Sequence, residues 1–152
     1  RVPPLPLPDA SQDVVLVSMV LMYFDDPDAV ANLLRESRRI LVPGGHVVLV
    51  EPFLYADTPH RDLPDRQRLT ADGLSALLAG AGFADIRVEK LGGVFGFLCT
   101  LLRDLLPARP ALVRAALTAL GLRLDRLASG VGYFRRRDAR YYAGHFTTAR
   151  RP

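Results

Sequence analysis

Two runs of mostly apolar residues stand out in the N-terminal third of the chain. One occupies positions 13–20 and the other positions 46–50. Nearly unbroken apolar runs of this length are typical of strands that are covered on both faces. Between the two runs, apolar residues recur at helical spacing, at Val30, Leu33, Leu34, Ile40 and Leu41. The pattern predicts a strand, a helix and a second strand, joined as a right-handed βαβ unit with parallel strands.

Capping and turn residues define the ends of the predicted helix. Asp26 is a favourable N-cap, and Pro27 stands at the first helical position, where its fixed φ suits a helix. Pro43 is expected to stop the helix, because it lacks an N–H and disfavours helical geometry in the residue before it. Gly44 and Gly45 then supply a turn before the second strand.

The following part of the chain predicts a second helix and two further strands. Thr70 is a favourable N-cap, and Gly82 is a favourable residue just after a helix end. Residues 86–91 alternate between apolar and polar, as in a half-exposed strand. Residues 140–149 are rich in aromatic and β-branched side chains, which favours a last strand. Together these elements predict a single α/β domain over residues 1–152.

Two strongly apolar stretches lie before the last strand and predict a helical cap at about residues 94–130. The run 94–102 is much shorter than the roughly 20 residues that a bilayer span needs. The second stretch, at about 111–127, carries Arg114 and Arg123 among its leucines. It could lie on a membrane surface, cover a hydrophobic pocket, or pack on the sheet as an ordinary helical layer.

Composition narrows the class of protein. A hydrophobic fraction of 49% in 152 residues fits a folded domain and argues against disorder. The single cysteine, Cys99, excludes an internal disulfide and favours a reducing compartment, so we expect a cytoplasmic protein. The net charge of +4 is modest, and the arginine run 135–137 has no interleaved aromatic residues, so nucleic-acid binding is not expected. The chain starts with arginine rather than methionine, which indicates processing or a piece of a longer protein.

Glu51 is the strongest candidate for chemistry that the residues alone provide. It follows the second apolar run, at the carboxyl end of a predicted parallel strand, where open α/β sheets bind their ligands. A carboxylate at this place could accept a hydrogen bond from a substrate or act as a general base. It could equally be a surface residue at the end of the strand.

The long connection after this strand contains potential metal ligands. Asp57, His60, Asp62 and Asp65 have suitable side chains, but their spacing fits no standard metal-binding motif. We therefore expect a solvated loop and no metal. Loops of this length often act as lids or binding loops.

Four segments taken together resemble class I S-adenosylmethionine-dependent methyltransferases. They are positions 5–15 (LPLPDASQDVV), Asp26 with Pro27, positions 41–52 (LVPGGHVVLVEP) and positions 70–83 (TADGLSALLAGAGF). Their order and spacing match the second half of that domain. The resemblance implies an α/β fold with a partial Rossmann-like methyltransferase sheet. Parallel strands, an antiparallel C-terminal strand and a helical insertion before that strand are its expected parts.

The resemblance also identifies family features that the sequence lacks. The glycine-rich G-x-G-x-G loop and the acidic residue that binds the cofactor ribose have no counterpart, and Arg1 stands where the family has an aspartate that contacts adenine. The chain thus looks like the carboxyl half of a methyltransferase, and we expect it to bind cofactor weakly or not at all by itself. The strand at Val14–Val17 is expected to have an open edge, which favours pairing with another chain.

The matched positions imply a set of site residues. Tyr23 lies where many relatives carry a Glu-His pair; it could orient the acceptor or be a half-buried aromatic residue. Glu51 is the implied catalytic carboxylate. Met19 and Val20 could instead pack in the core. The implied cofactor-binding residues are Val2, Ser18, Met19 and Val20.

The resemblance implies methyl transfer from S-adenosylmethionine to a small acceptor. Because residues 94–127 are strongly apolar, we expect that acceptor to be hydrophobic, for example a lipid, a quinone or a polyketide-like molecule. The competing hypothesis is a non-catalytic α/β module that binds a membrane surface or another protein chain.

Overall fold

The computed structural model describes residues 4–53, 65–105, 111–129 and 142–152. A short 3-10 helix, Leu21–Tyr23, follows the first strand. The strands are β1 (Gln12–Ser18), β2 (Leu41–Pro52), β3 (Ala84–Leu91) and β4 (Gly144–Arg150), and the helices are α1 (Pro27–Ile40), α2 (Ala71–Gly80), α3 (Val94–Leu105) and α4 (Ala111–Ser129).

The four strands form one sheet in the order β1-β2-β4-β3. Strands β1 and β2 are parallel, with Val14 opposite His46 and Ser18 opposite Val50. Strand β4 runs antiparallel to β2, because the Gly44 N–H donates to the Arg151 carbonyl at 2.9 Å, while the Arg151 N–H donates to the Gly45 carbonyl at 2.8 Å. The predicted α/β class is therefore confirmed, with parallel strands, an antiparallel last strand and two helices inserted before it.

Helix α1 begins as the sequence predicted. The Asp26 side chain accepts a hydrogen bond from the Asp28 N–H at 2.9 Å, and Pro27 is the first helical residue. At the other end, the Arg151 guanidinium donates to the carbonyls of Arg38 and Arg39, both at 3.1 Å. These bonds satisfy helix-end carbonyls that have no partner within the helix. Arg151, which directly follows β4, thereby links this strand to the end of α1.

The predicted boundary between α1 and β2 was wrong. Leu41 is already extended, with φ −69° and ψ 144°, so the helix ends at Ile40 and passes directly into the strand. The predicted Pro-Gly-Gly turn lies inside β2 as an irregularity, because Gln12 pairs with Leu41 while Val14 already pairs with His46.

Helix α2 has the predicted signals at both ends. The Thr70 hydroxyl accepts a hydrogen bond from the Gly73 N–H at 3.0 Å. Gly82, just after the helix, has a φ of +85°, which is the left-handed conformation that glycine adopts without strain.

The core lies on one face of the β1–β2 pair. Val17 in β1, Val47 and Leu49 in β2 are buried together with apolar residues of α1 and α2. In contrast, Val14 and Leu16, which point to the opposite face of β1, are 57% and 65% exposed. The apolar run predicted that β1 is buried on both faces, and this prediction is therefore wrong. The predicted open edge is confirmed, since β1 is the outermost strand of the described sheet.

The chain divides into two compact units. The first comprises Arg1–Pro52, Asp57–Glu89 and His145–Pro152, and the second comprises Phe53–Ala56 and Lys90–Gly144. Within the second unit, α3 and α4 pack closely against each other. Within the described ranges, none of the helices combines the length and the hydropathy needed to cross a bilayer.

Candidate functional site

The turn after β1 has an unusual backbone conformation at the carboxyl end of the sheet. Met19 directly follows the strand and has a φ of +52°, in the left-handed region. Its N–H donates to the Val50 carbonyl of β2 at 2.7 Å. A non-glycine residue pays for this conformation with strain of about 1–3 kcal/mol, and such strain often occurs at functional sites. The turn therefore keeps its shape only because neighbouring groups hold it.

Glu51 is the side chain that holds the next two residues of the turn. Its Oε1 accepts hydrogen bonds from the N–H of Val20 at 3.0 Å and from the N–H of Leu21 at 3.1 Å. Glu51 is 3% exposed. It satisfies backbone donors at the start of the 3-10 helix, as an N-cap residue does for an α-helix. The predicted catalytic carboxylate is thus bound to the predicted cofactor segment.

The electrostatic environment of Glu51 contains opposing contributions. Burial raises the pKa of its carboxyl above the ordinary value of 4.5, because a desolvated site disfavours the charged form. Hydrogen bonds from the N–H groups of Leu21, Val20 and Met22, and the positive charge of Arg68, act in the opposite direction. Burial dominates, so the pKa of Glu51 is raised.

Residues just before α2 hold the 3-10 helix from its other side. The Gln67 side-chain amide donates to the Leu21 carbonyl at 2.9 Å, and the Arg66 N–H donates to the Met22 carbonyl at 2.8 Å. Arg68 forms a bidentate ion pair with Asp65, in which each of two guanidinium nitrogens donates to one carboxylate oxygen. The turn after β1 is therefore fixed by two different segments of the chain.

The sequence did not reveal Gln67 or His145 as parts of this region. His145 of β4 is fully buried, and its Nε2 lies 2.8 Å from the Leu69 carbonyl. Both residues act on backbone carbonyls that are distant in sequence. The signal for His145 was a titratable side chain within a strand that is otherwise rich in aromatic and β-branched residues; the sequence offered no signal for Gln67.

The remaining predicted site residues fall into three groups. Ser18, Met19 and Val20 are exposed, so packing in the core is not the role of Met19 or Val20. Tyr23 ends the 3-10 helix and is half-buried, with its N–H bonded to the Val20 carbonyl at 3.2 Å. Val2 lies outside the described residues.

The acidic loop yields no metal cluster in the part that the structure describes. No group of three potential ligands occurs among those residues. Asp65 is engaged with Arg68, while Asp57, His60 and Asp62 lie outside the described ranges.

Comparison with known proteins agrees with this geometry. A family model described as a methyltransferase domain matches residues 2–49. A probable S-adenosylmethionine-dependent methyltransferase of Mycobacterium tuberculosis is 38% identical over 86 residues, which cover 54% of this chain and 30% of that protein. A counterpart from Mycolicibacterium smegmatis is 39% identical over 95 residues, covering 60% of this chain and 35% of the relative.

The fold also matches solved structures. An S-adenosylmethionine-dependent methyltransferase from Mesorhizobium loti superimposes with a TM-score of 0.57 at 22% identity, covering 97% of this chain and 65% of that one. The matched segments span about a third of the two mycobacterial relatives. The predicted resemblance is confirmed: residues 2–49 match a methyltransferase-domain model, two S-adenosylmethionine-dependent methyltransferases are similar in sequence, and the chain shares the Rossmann-like fold of solved methyltransferases.

Proposed function

We propose that this chain supplies the carboxyl-terminal part of an S-adenosylmethionine-dependent methyltransferase, and that residues preceding it complete the cofactor site. The observation that carries the proposal is the strained turn at Met19. It lies at the carboxyl end of two parallel strands, the edge where open α/β sheets bind ligands, and β2 holds it there through Val50 and Glu51.

The described residues fit one wall of such a site. Ser18, Met19 and Val20 are exposed at the end of β1, with Met19 45% and Val20 39% exposed. Two exposed apolar side chains therefore follow the Ser18 hydroxyl in the chain. Such a mixed surface suits a ligand with an aromatic ring and a polar amino-acid part. The sequence holds no glycine-rich loop for close backbone approach, so these residues fit only part of the cofactor.

The chemistry asks little of individual side chains. The bound cofactor would supply an electrophilic methyl group: the acceptor would form a bond to the methyl carbon, the C–S bond on the opposite side would break, and the thioether would leave with the electron pair. The residues of this chain would position the two reactants and exclude water. Within that role, we assign the Ser18–Val20 segment to the cofactor side and Tyr23 to the acceptor side.

We propose a hydrophobic acceptor because of the second unit. Helix α3 exposes Leu98, Leu101, Leu102 and Leu105 at helical spacing, between 44% and 71% exposed. Helix α4 exposes Leu112 and Leu127 to 82% and 71%. Exposed apolar area of this extent is typical of interaction surfaces or binding grooves. The single cysteine suits a reducing compartment, and we place the reaction in the cytoplasm.

The test uses the complete protein encoded by the gene. We expect calorimetry to show binding of S-adenosylmethionine, and a labelled-methyl assay to show transfer to long-chain or aromatic acceptors but not to small polar amines. A complete protein that binds no S-adenosylmethionine would refute the proposal. Transfer restricted to small polar acceptors would refute the hydrophobic acceptor alone.

The open strand favours a second candidate, an interaction module that uses this surface. Val14 and Leu16 are exposed on β1, and β1 is the outermost strand of the described sheet. Unprotected edges of this kind pair with other chains. Self-association should appear in sedimentation velocity of residues 1–152 and decrease in a Leu16→Lys variant, with Arg87→Lys on β3 as the control. Monomeric behaviour of the wild-type chain at high concentration would contradict this candidate, and binding to vesicles would instead favour a membrane partner.

A further inference from the structure

We propose that Glu51 is a positioning residue rather than a general base: its carboxylate fixes the backbone of Val20 and Leu21, and through them the turn that faces the cofactor. The inference rests on the proposed function for the cofactor, but its geometric part stands on hydrogen bonds within the first unit.

The first step concerns the hydrogen bonds that the Glu51 carboxylate accepts. A single oxygen of Glu51 accepts two N–H groups from consecutive residues, at 3.0 and 3.1 Å. Bonds from backbone donors to a charged oxygen are stronger than neutral ones. This oxygen is therefore engaged with the backbone of the turn, which is a structural role that requires no proton transfer.

The second step is the strain that the carboxylate offsets. Met19 immediately precedes the two residues that Glu51 holds, and it has a left-handed backbone with φ +52°. Among the described residues, Met19 itself is fixed by the backbone bond from its N–H to the Val50 carbonyl. Without Glu51, the N–H groups of Val20 and Leu21 would lose their acceptor, and the turn could relax towards ordinary backbone conformations. The exposed side chains of Met19 and Val20 would then leave the positions in which they form the site wall.

The third step concerns the roles of the neighbouring groups. Gln67 and Arg66 contact the 3-10 helix as donors, to the carbonyls of Leu21 and Met22. Arg68 is a donor and is already paired with Asp65. Among these described neighbours, Glu51 is therefore the side chain that accepts from Val20 and Leu21.

The experiment compares three substitutions in the complete protein. Glu51→Ala removes the acceptor, Glu51→Asp withdraws it by one methylene, and Glu51→Gln keeps an oxygen of the same reach but cannot act as a base. Glu89→Ala, at an exposed position of β3, is the matched control. The measurements are the KM for S-adenosylmethionine, kcat at saturating cofactor, and the amide exchange rates of Val20 and Leu21.

We expect Glu51→Ala to raise the KM for S-adenosylmethionine about tenfold, because an affinity falls in proportion to the fraction of molecules that hold the binding conformation. Glu51→Asp should be intermediate, and Glu51→Gln should keep kcat within about threefold of the wild type, since no proton transfer is lost. Amide exchange at Val20 and Leu21 should accelerate in Glu51→Ala and be largely restored in Glu51→Gln.

Two results would overturn the inference. A loss of kcat of about a hundredfold in Glu51→Gln, with an unchanged KM, would identify a general base. Unchanged amide exchange at Val20 and Leu21 in Glu51→Ala and Glu51→Asp would show that the carboxylate does not hold the turn. If the wild-type protein binds no S-adenosylmethionine but its exchange responds as expected, the proposed function fails while the positioning of the turn by Glu51 is supported.

Discussion

Gly121 of α4 faces Gly96 of α3 so closely that neither helix has room for a side chain at the crossing. A Cβ on Gly121 would lie 2.9 Å from the Gly96 Cα and 3.0 Å from the Cys99 Cβ. Real Cβ atoms do not approach backbone this closely, so the two helices would have to separate. Close packing of the pair therefore depends on the absence of a side chain at Gly121.

Gly121→Ala should destabilise the α3–α4 pair, although alanine favours helix more than glycine does. The overlap should cost about 1–3 kcal/mol, which exceeds the gain in helix propensity of about 1 kcal/mol. Urea unfolding would measure the change. Gly80→Ala in α2 is the control, since nothing lies within 4 Å of its added Cβ. Gly80→Ala should stabilise the protein, and a stabilising Gly121→Ala would contradict the close approach of α3 and α4 at Gly121.

Asp125 should contribute strongly to the start of α3. Its carboxylate accepts hydrogen bonds from the N–H groups of Gly93, Phe95 and Gly96, at 2.8, 2.9 and 2.9 Å. Asp125→Ala would leave all three without this acceptor and should cost about 2–3 kcal/mol.

Amide exchange at Phe95 and Gly96 would localise this loss. Asp125→Asn should lose less stability than Asp125→Ala, because the asparagine side chain retains one acceptor oxygen. The control is Thr118→Ala on the same helix, whose hydroxyl donates only to the Arg114 carbonyl. Equal exchange rates in Asp125→Ala and Thr118→Ala would show that the carboxylate does not cap α3.

The stability contributed by Glu51 should fall as pH rises. Its native pKa is raised by burial, so between the unfolded value of 4.5 and the native value the folded state keeps a proton that the unfolded state has released. The free energy of unfolding of the wild type, minus that of Glu51→Gln, should therefore decrease from pH 4.5 upwards. Chemical unfolding across this range gives the difference directly.

Glu36→Gln provides a control of opposite sign. A hydrogen bond from Arg39 lowers the pKa of Glu36, so the stability from this group is present above its unfolded pKa and disappears as pH falls. If the Glu51 difference instead rose with pH, the assignment of a desolvated, raised pKa to Glu51 would be wrong.

Arg39 should hold the proline-rich segment before β1. Its guanidinium donates to the Leu5 carbonyl at 3.1 Å, to the Leu7 carbonyl at 3.0 Å and to Glu36 at 2.9 Å. Arg39→Lys should release this segment almost as fully as Arg39→Ala, because an ammonium group cannot reproduce the planar fork of donors.

Limited proteolysis within residues 4–11 would measure this release. The control is Arg35→Ala, on the same helix, because the Arg35 guanidinium donates locally to the Asn32 side chain. Protection in Arg39→Lys equal to the wild type would contradict the role of the guanidinium geometry.

The sequence predicted the parts of the fold that depend on interactions between residues close together in the chain. The caps at Asp26 and Thr70 act within one helical turn, so residue type and position were sufficient. The parallel pairing of β1 and β2 followed from two apolar runs around one helix. The end of α1 was missed because it depends on a tertiary pairing, that of Leu41 with Gln12.

The sequence predicted which strand ends meet at the candidate site, but not how their side chains are used. The sequence placed Glu51 at a strand end and Ser18 to Val20 at another, and parallel strands brought them together. It could not predict that Glu51 accepts from the backbone, because that bond depends on the side chain's orientation and on the left-handed turn at Met19. Gln67 contributes through one carbonyl distant in sequence, which no periodic pattern encodes.

The bond from the Leu21 N–H to Glu51 also bears on how the protein folds. It closes a segment that contains the whole of α1, so the entropy of loop closure opposes it until the helix has formed and β1 has aligned with β2. We therefore expect the turn at Met19 to order during refolding only after β1 and β2 have aligned. Any step that slows strand alignment would delay the appearance of ligand-binding competence by the same amount, even where the helices form at their usual speed.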